Sequence, residues 1–99
     1  SIRGISFTSE YKGHKCICAN MPQGKSEFFD SLDILDRFDF MVNFFMNKHN
    51  CWNLSFYSYK NFDVSKVAAA FGGGGPFHAA GASGLKELPE FLKQHLQKN

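Results

Sequence analysis

No apolar run in this 99-residue sequence approaches the roughly 20 residues that a membrane-spanning helix needs, so nothing in it reads as a helical membrane segment. Cysteine is scarce, with only Cys16, Cys18 and Cys51. An odd count without a secretory pattern argues against a fold stapled by paired disulfides and points to free thiols in a reducing compartment, the cytoplasm. Zinc ligands are short as well. Cys16-x-Cys18 would need two partners from Cys51, His14 and His49, whereas strand alternation makes both thiols small buried hydrophobes on one face. Charge of one sign is also lacking: 11 Lys and Arg against 9 Asp and Glu leave a net +2. Lys12, Lys15, Lys25, Lys48, Lys60 and Lys66 are dispersed. Without a basic stripe, a protein that holds nucleic acid by charge alone is excluded. There is no internal repeat, and the opening residues carry no targeting pattern. A strand-like pattern starting at Ser1 is what a chain cut from a larger protein would show.

What is present suits a single domain. The length supports one core, and 43% hydrophobic with 20% charged residues is ordinary for a globular chain. Twelve phenylalanines are many for this size. They supply a bulky core and, in a chain parted from a companion domain, an exposed patch.

Periodicity gives the elements. Ile2, Ile5 and Phe7 predict a strand over about 2–9, with Gly4 as a bulge. Lys12-Gly13 is a turn, and 14–19 a second strand. Residues 20–24 form a loop by their Asn, Pro and Gly. Ser26 caps a helix on which Phe28, Phe29, Leu32 and Leu35 share a face, with Asp30, Asp33 and Asp36 solvated on the other side. Residues 38–46 are apolar at both parities, as in a central strand covered on two faces. A polar connection at 47–50 returns the chain into a strand over 51–59. Trp52, Leu54, Phe56 and Ser58 form one parity of that strand, and Asn53, Ser55, Tyr57 and Tyr59 the other. Asp63 caps a helix with Val64, Val67, Ala68 and Phe71 at helical spacing, and Gly72 sits where the helix should stop. Residues 78–83 read as a small-residue strand. Leu85, Leu88, Phe91, Leu92 and Leu96 mark a terminal helix with Pro89 in its first turn. The expected fold is α/β: a mixed sheet of about five strands with about three helices, in the order β-β-α-β-β-α-loop-β-α.

The stretch Phe71-Gly72-Gly73-Gly74-Gly75-Pro76-Phe77-His78-Ala79-Ala80-Gly81 stands apart. Four glycines carry a heavy entropy penalty in a compact domain. They permit positive φ and close approach of a ligand, and successive amides in such a bend make an anion-sized concavity. The expectation is a loop that holds a phosphate through Gly72, Gly73, Gly74 and Gly75. The alternative, a flexible linker, would be padded with Ser and polar residues. Here the flanks are Ala68-Ala69-Ala70 and Ala79-Ala80-Gly81-Ala82, as packed segments would be.

Asp63-Val64-Ser65, a short helix, four glycines and then Ala79-Ala80-Gly81 resemble the DHHA1 domain. That domain is the C-terminal, substrate-binding part of DHH-family phosphoesterases, a group with oligoribonucleases, phosphoadenosine-phosphate phosphatases and RecJ-like exonucleases. Asn20 and Ser26-Glu27 fit the same pattern. The resemblance implies short oligonucleotides or nucleotide phosphates as ligands. It also implies an N-terminal DHH catalytic domain in the same protein that carries two manganese ions. In the family pattern a histidine that contacts phosphate follows the glycines. Here Pro76 stands in that place and His78 two positions on, so either His78 takes over the contact from a reshaped loop or the contact has been lost. An Arg-Ser pair common in the family is here Tyr57-Ser58. A tyrosine lacks the guanidinium fork but can stack on a base.

The Asp-His-His motif itself is missing, as is any Asp-x-Asp, so this chain by itself is not expected to hydrolyse anything. Two other readings stand beside this one. The glycine run continuing into Pro76 is similar to the C-terminal domain of alanyl-tRNA synthetases, which implies a non-catalytic RNA-binding module. The third is a degenerate domain that uses its phenylalanines at a protein interface.

Overall fold

A computed structural model describes residues 6–22 and 35–93. The chain forms β1 (Ser6–Tyr11), β2 (His14–Asn20), β3 (Phe40–Met46), β4 (Trp52–Tyr57), α1 (Val64–Ala70) and β5 (Ala79–Leu85). Short 3-10 turns cover Leu35–Arg37 and Glu90–Leu92. The five strands lie in one sheet in sequence order. Only β2 and β3 run parallel, and the other three pairings are antiparallel. The mixed five-stranded sheet expected from the sequence is therefore present.

Local chemistry explains the connections. Lys12 and Gly13 have φ of 49° and 84°, the pair of positive values that a two-residue type I′ hairpin requires. Asn47 organises the β3–β4 hairpin, its Oδ1 accepting from the amides of His49 (2.8 Å) and Cys51 (3.2 Å). Asn50 takes the left-handed conformation, with φ 59°. The parallel step from β2 to β3 needs a longer crossover, which the chain makes between 21 and 39.

The main core lies on one sheet face. Phe40, Val42, Phe44, Leu54 and Phe56 are buried there beneath Val64, Val67 and Ala68 of α1. Leu88, Phe91 and Leu92 complete the cover. Phe62 stacks on Phe40 at 5.2 Å, and Phe71 on Phe56 at 6.3 Å, so the phenylalanine excess is spent largely inside. Cys16 and Cys18 are fully buried on this face with their Sγ atoms 3.7 Å apart. Ile17, Ala19, Phe38 and Met41 make a smaller cluster on the other face.

The three expected helices reduce to one α-helix and 3-10 turns among the described residues. The helix predicted from Ser26 lies outside them except at Leu35 and Asp36, which fall in a 3-10 turn. The terminal helix is corrected. Leu85 ends β5, Gly84 takes φ +73°, and Pro89 is extended (ψ 147°) before the turn at Glu90–Leu92. A proline disfavours helical backbone at the residue before it, so Leu88 reaches the core from an irregular segment. Its spacing with Phe91 and Leu92 reflects one buried side, which helix and irregular chain both satisfy.

Candidate ligand site at the glycine loop

The loop is built from α1 outward. Asp63 caps the helix from an extended conformation, its Oδ1 accepting from the amide (2.9 Å) and hydroxyl (2.5 Å) of Ser65. The Ser65 hydroxyl, with the nearby charges of Lys66 and His78, holds the Asp63 carboxyl below its ordinary value. At the other end Gly72 has φ +85°. Its N–H donates to Ala69 O (3.1 Å), and that of Gly73 donates to Ala68 O (2.9 Å). Those two bonds are the paired closure of a Schellman motif. The chain then turns back. Gly74 and Gly81 exchange both backbone hydrogen bonds at 3.0 Å, laying the loop along the outer edge of β5. Phe77 O finally accepts the amide of Val64 (2.9 Å), so the segment straps α1 from its last turn to its first.

This gives the glycines a different cause from the one expected. The amides of Gly72, Gly73 and Gly74 are already bonded within the protein and cannot form an anion nest. Close packing requires glycine at Gly73 and Gly75 instead. A Cβ on Gly73 would lie 2.0 Å from Gly81 O, and one on Gly75 (φ +144°) would lie 2.7 Å from Ala80 Cα. The amides of Gly75, Phe77 and His78 donate to no acceptor among the described residues.

The pairing registers place Gly74, Gly81, Ser55, Asn43, Ala19 and Ser6 in one row across the sheet. Ser55 alternates with the buried Leu54 and Phe56, so the row lies on the face opposite α1. No side chain in it is larger than asparagine, which leaves a trough of exposed backbone at its β5 end. A shallow cavity of about 290 Å³ opens there, lined by Phe45, Asn53, Ser55, Gly73, Gly81 and Ser83. Along the row Asn43 is fully buried, its Nδ2 donating to Met21 O (3.4 Å) and its Oδ1 without a partner among the described residues.

The predicted site residues do not gather in one place. Gly72 and Gly73 border the cavity, and Gly74 sits opposite Gly81. Tyr57 is two positions from Ser55 on the same face, against Ile17 and Met41. Ser58 is 2% exposed and donates its hydroxyl to Phe62 O (2.7 Å), so it braces the strand-to-helix connection. His78 is exposed beyond the far end of the loop, with Nε2 3.0 Å from Lys60 O. Sequence reasoning did not single out Ser55, Ser83 or Asn43. The signal for Ser55 was the polar parity of its strand, and for Asn43 its isolation in an apolar run.

No protein-family model matches the chain, and no curated protein matches it. Solved structures do. An uncharacterized protein from Helicobacter pylori superposes with TM-score 0.69 over 92% of this chain at 22% identity. A pGpG-specific phosphodiesterase from Vibrio cholerae matches with TM-score 0.51 over 79% of the chain at 7% identity. An exopolyphosphatase-related protein from Bacteroides fragilis gives 0.49 over 91% at 18%. The likeness is one of fold. This chain spans only 26%, 29% and 28% of those three proteins.

Proposed function

We propose that this chain is a DHHA1-type substrate-binding domain, which presents short oligonucleotides or nucleotide phosphates to a phosphoesterase domain elsewhere in its protein. The observation that carries the reading is the double hydrogen bond between Gly74 and Gly81, which sets a ledge free of side chains beside Ser55 and Ser83. A flat ligand can lie directly on such a backbone. The Ser55 and Ser83 hydroxyls offer hydrogen bonds along it. The free amides of Gly75, Phe77 and His78, with the His78 imidazole, suit an anionic group at the loop's end. Tyr57 lies further along the same face, where a base can stack. The shared fold with a phosphodiesterase supports the reading at the level of architecture. The catalytic manganese ions would belong to that other domain. No group of three or more His, Cys, Asp or Glu comes together among the described residues, which therefore do not fit a two-metal centre. No hydrolytic step is assigned to this chain.

The test is a dinucleotide titration followed by amide NMR. Shifts at Ser55, Gly74, Gly75, Gly81 and Ser83, reduced in Ser55→Trp, are expected. Unmoved signals at millimolar dinucleotide would overturn the reading. Tight tRNA binding with a steep salt dependence would favour the alanyl-tRNA-synthetase-like RNA module instead.

A further inference from the structure

A larger cavity lies at the end of the sheet where the β1–β2 hairpin meets the start of α1, with a volume of about 440 Å³. Its apolar lining includes Tyr11, Phe62 and Phe77, and its polar lining Lys12, His14 and Lys66. We propose that this cavity is a second nucleotide site, taking one base against its aromatic floor and the adjoining phosphate between Lys12 and Lys66. It goes beyond the reading given above, because it uses the helix-covered side of the sheet and none of Ser55, Gly74, Gly81 or Ser83.

Three independent observations carry it. The first is the backbone at Lys12. Left-handed positions in such turns go to Gly, Asn or Asp, and a lysine there is strained. Lys12 nevertheless has φ 49°, and its Nζ is held 5.5 Å from the centroid of the Tyr11 ring. The turn pays for a placed cation at the cavity rim.

The second is the aromatic surface. Phe77 is 41% exposed, although the core absorbs most of the other described phenylalanines. Tyr11 and Phe62 are half-buried, and Phe62 meets the His14 ring edge-on at 4.8 Å. Bases stack on such aromatic rings, and every base offers a face for it.

The third is charge. Neither Lys12 nor Lys66 is within ion-pair distance of a carboxylate among the described residues. The carboxylate lining the cavity is Asp63, whose Oδ1 is taken by Ser65. Asp39 is turned to His14 at 3.1 Å. Two ammonium groups outside ion-pair contact, Lys12 over the Tyr11 ring and Lys66 at the same cavity, complement a ligand that is both flat and anionic. The volume falls within the usual 300–1,000 Å³ or so for small-ligand clefts.

The test uses the 99-residue chain. Adenosine 5′-monophosphate is titrated by amide NMR against adenosine and inorganic phosphate as controls. The monophosphate is expected to shift Lys12, Gly13, Phe62, Lys66 and Phe77, and both controls are expected to bind more weakly there. Lys12→Gly suits the left-handed turn and Lys66→Gln is exposed, so the double variant keeps the fold, checked by its unshifted core amides. It is expected to bind the monophosphate about tenfold more weakly, the loss of charge-assisted hydrogen bonds. Shifts confined to Ser55, Gly74, Gly81 and Ser83 would overturn the second site while upholding the first. Unchanged affinity in the double variant, or capture of an acidic peptide here in place of the monophosphate, would also overturn it.

Discussion

Gly73 and Gly74 are adjacent and chemically identical, yet the structure asks different things of them. A methyl group at Gly73 would meet Gly81 O at 2.0 Å and Ala82 Cα at 2.7 Å, backbone that has nowhere to go. At Gly74 it would meet nothing within 4 Å. Gly73→Ala is therefore expected to destabilise the fold by about 2 kcal/mol or more, and Gly74→Ala by no more than about 0.5 kcal/mol, as read by urea denaturation. Equal effects would mean that the loop does not pack on β5. The cysteines divide in a similar way. The hydrogen bond with Cys16, reinforced by burial, pushes the Cys18 thiol well above the usual thiol range, so it stays protonated and unreactive. Cys51 is partly exposed. A thiol reagent is expected to modify Cys51 in the native chain and to reach Cys16 and Cys18 only after denaturation. Rapid modification of Cys16 or Cys18 would contradict their placement. The alternation of Cys16-x-Cys18 made their shared face readable from the sequence. The role of the glycines was not readable. Four glycines in a row look the same whether they bare their amides to an anion or let two backbones touch, and only the partner strand decides.

α1 has seven residues, too few to persist without its packing and caps. Its Asp63 cap carries a pH signature. Because the folded state lowers the Asp63 carboxyl, the cap's contribution is fully present above the ordinary carboxylate range and is lost as pH falls through the depressed value. Hydrogen-exchange protection of the first α1 amides is expected to fall in that acid window. Asp63→Ala should lose that protection already at neutral pH. Asp63→Asn keeps an acceptor and should restore most of it without the acid step. An unchanged acid limb in Asp63→Asn would assign the effect to another group. This helix was legible because cap, apolar stripe and stop signal agreed. β3 was legible because residues 40–44 are buried at both parities. The C-terminal segment was misread because the spacing of Leu85, Leu88, Phe91 and Leu92 records which side is buried and not how the backbone gets there. Pro89 and Gly84 were the residues that should have weighed more.

For the whole molecule, strand order and sequence order coincide, and that has a kinetic consequence. The β3–β4 hairpin, the packing of α1 beside β4 and the Gly74–Gly81 strap each join segments close along the chain, so β5 is brought to β4 in short steps. By contrast, β2 pairs with β3 directly across the chain from Cys16 to Phe40. Contacts that close short loops form sooner. Residues 40–85 are thus expected to assemble first, with the N-terminal hairpin docking afterwards. Phe56→Ala, a truncation at the centre of that unit, should cost about 3–5 kcal/mol and slow refolding. Truncating Phe7, which packs on Phe44 from β1, should mainly speed unfolding. Stopped-flow traces that put Phe7 in the early nucleus would reverse this order. On a ribosome, where the N-terminal hairpin emerges first, that hairpin would have to wait for its neighbour to be synthesised before it had a sheet to join.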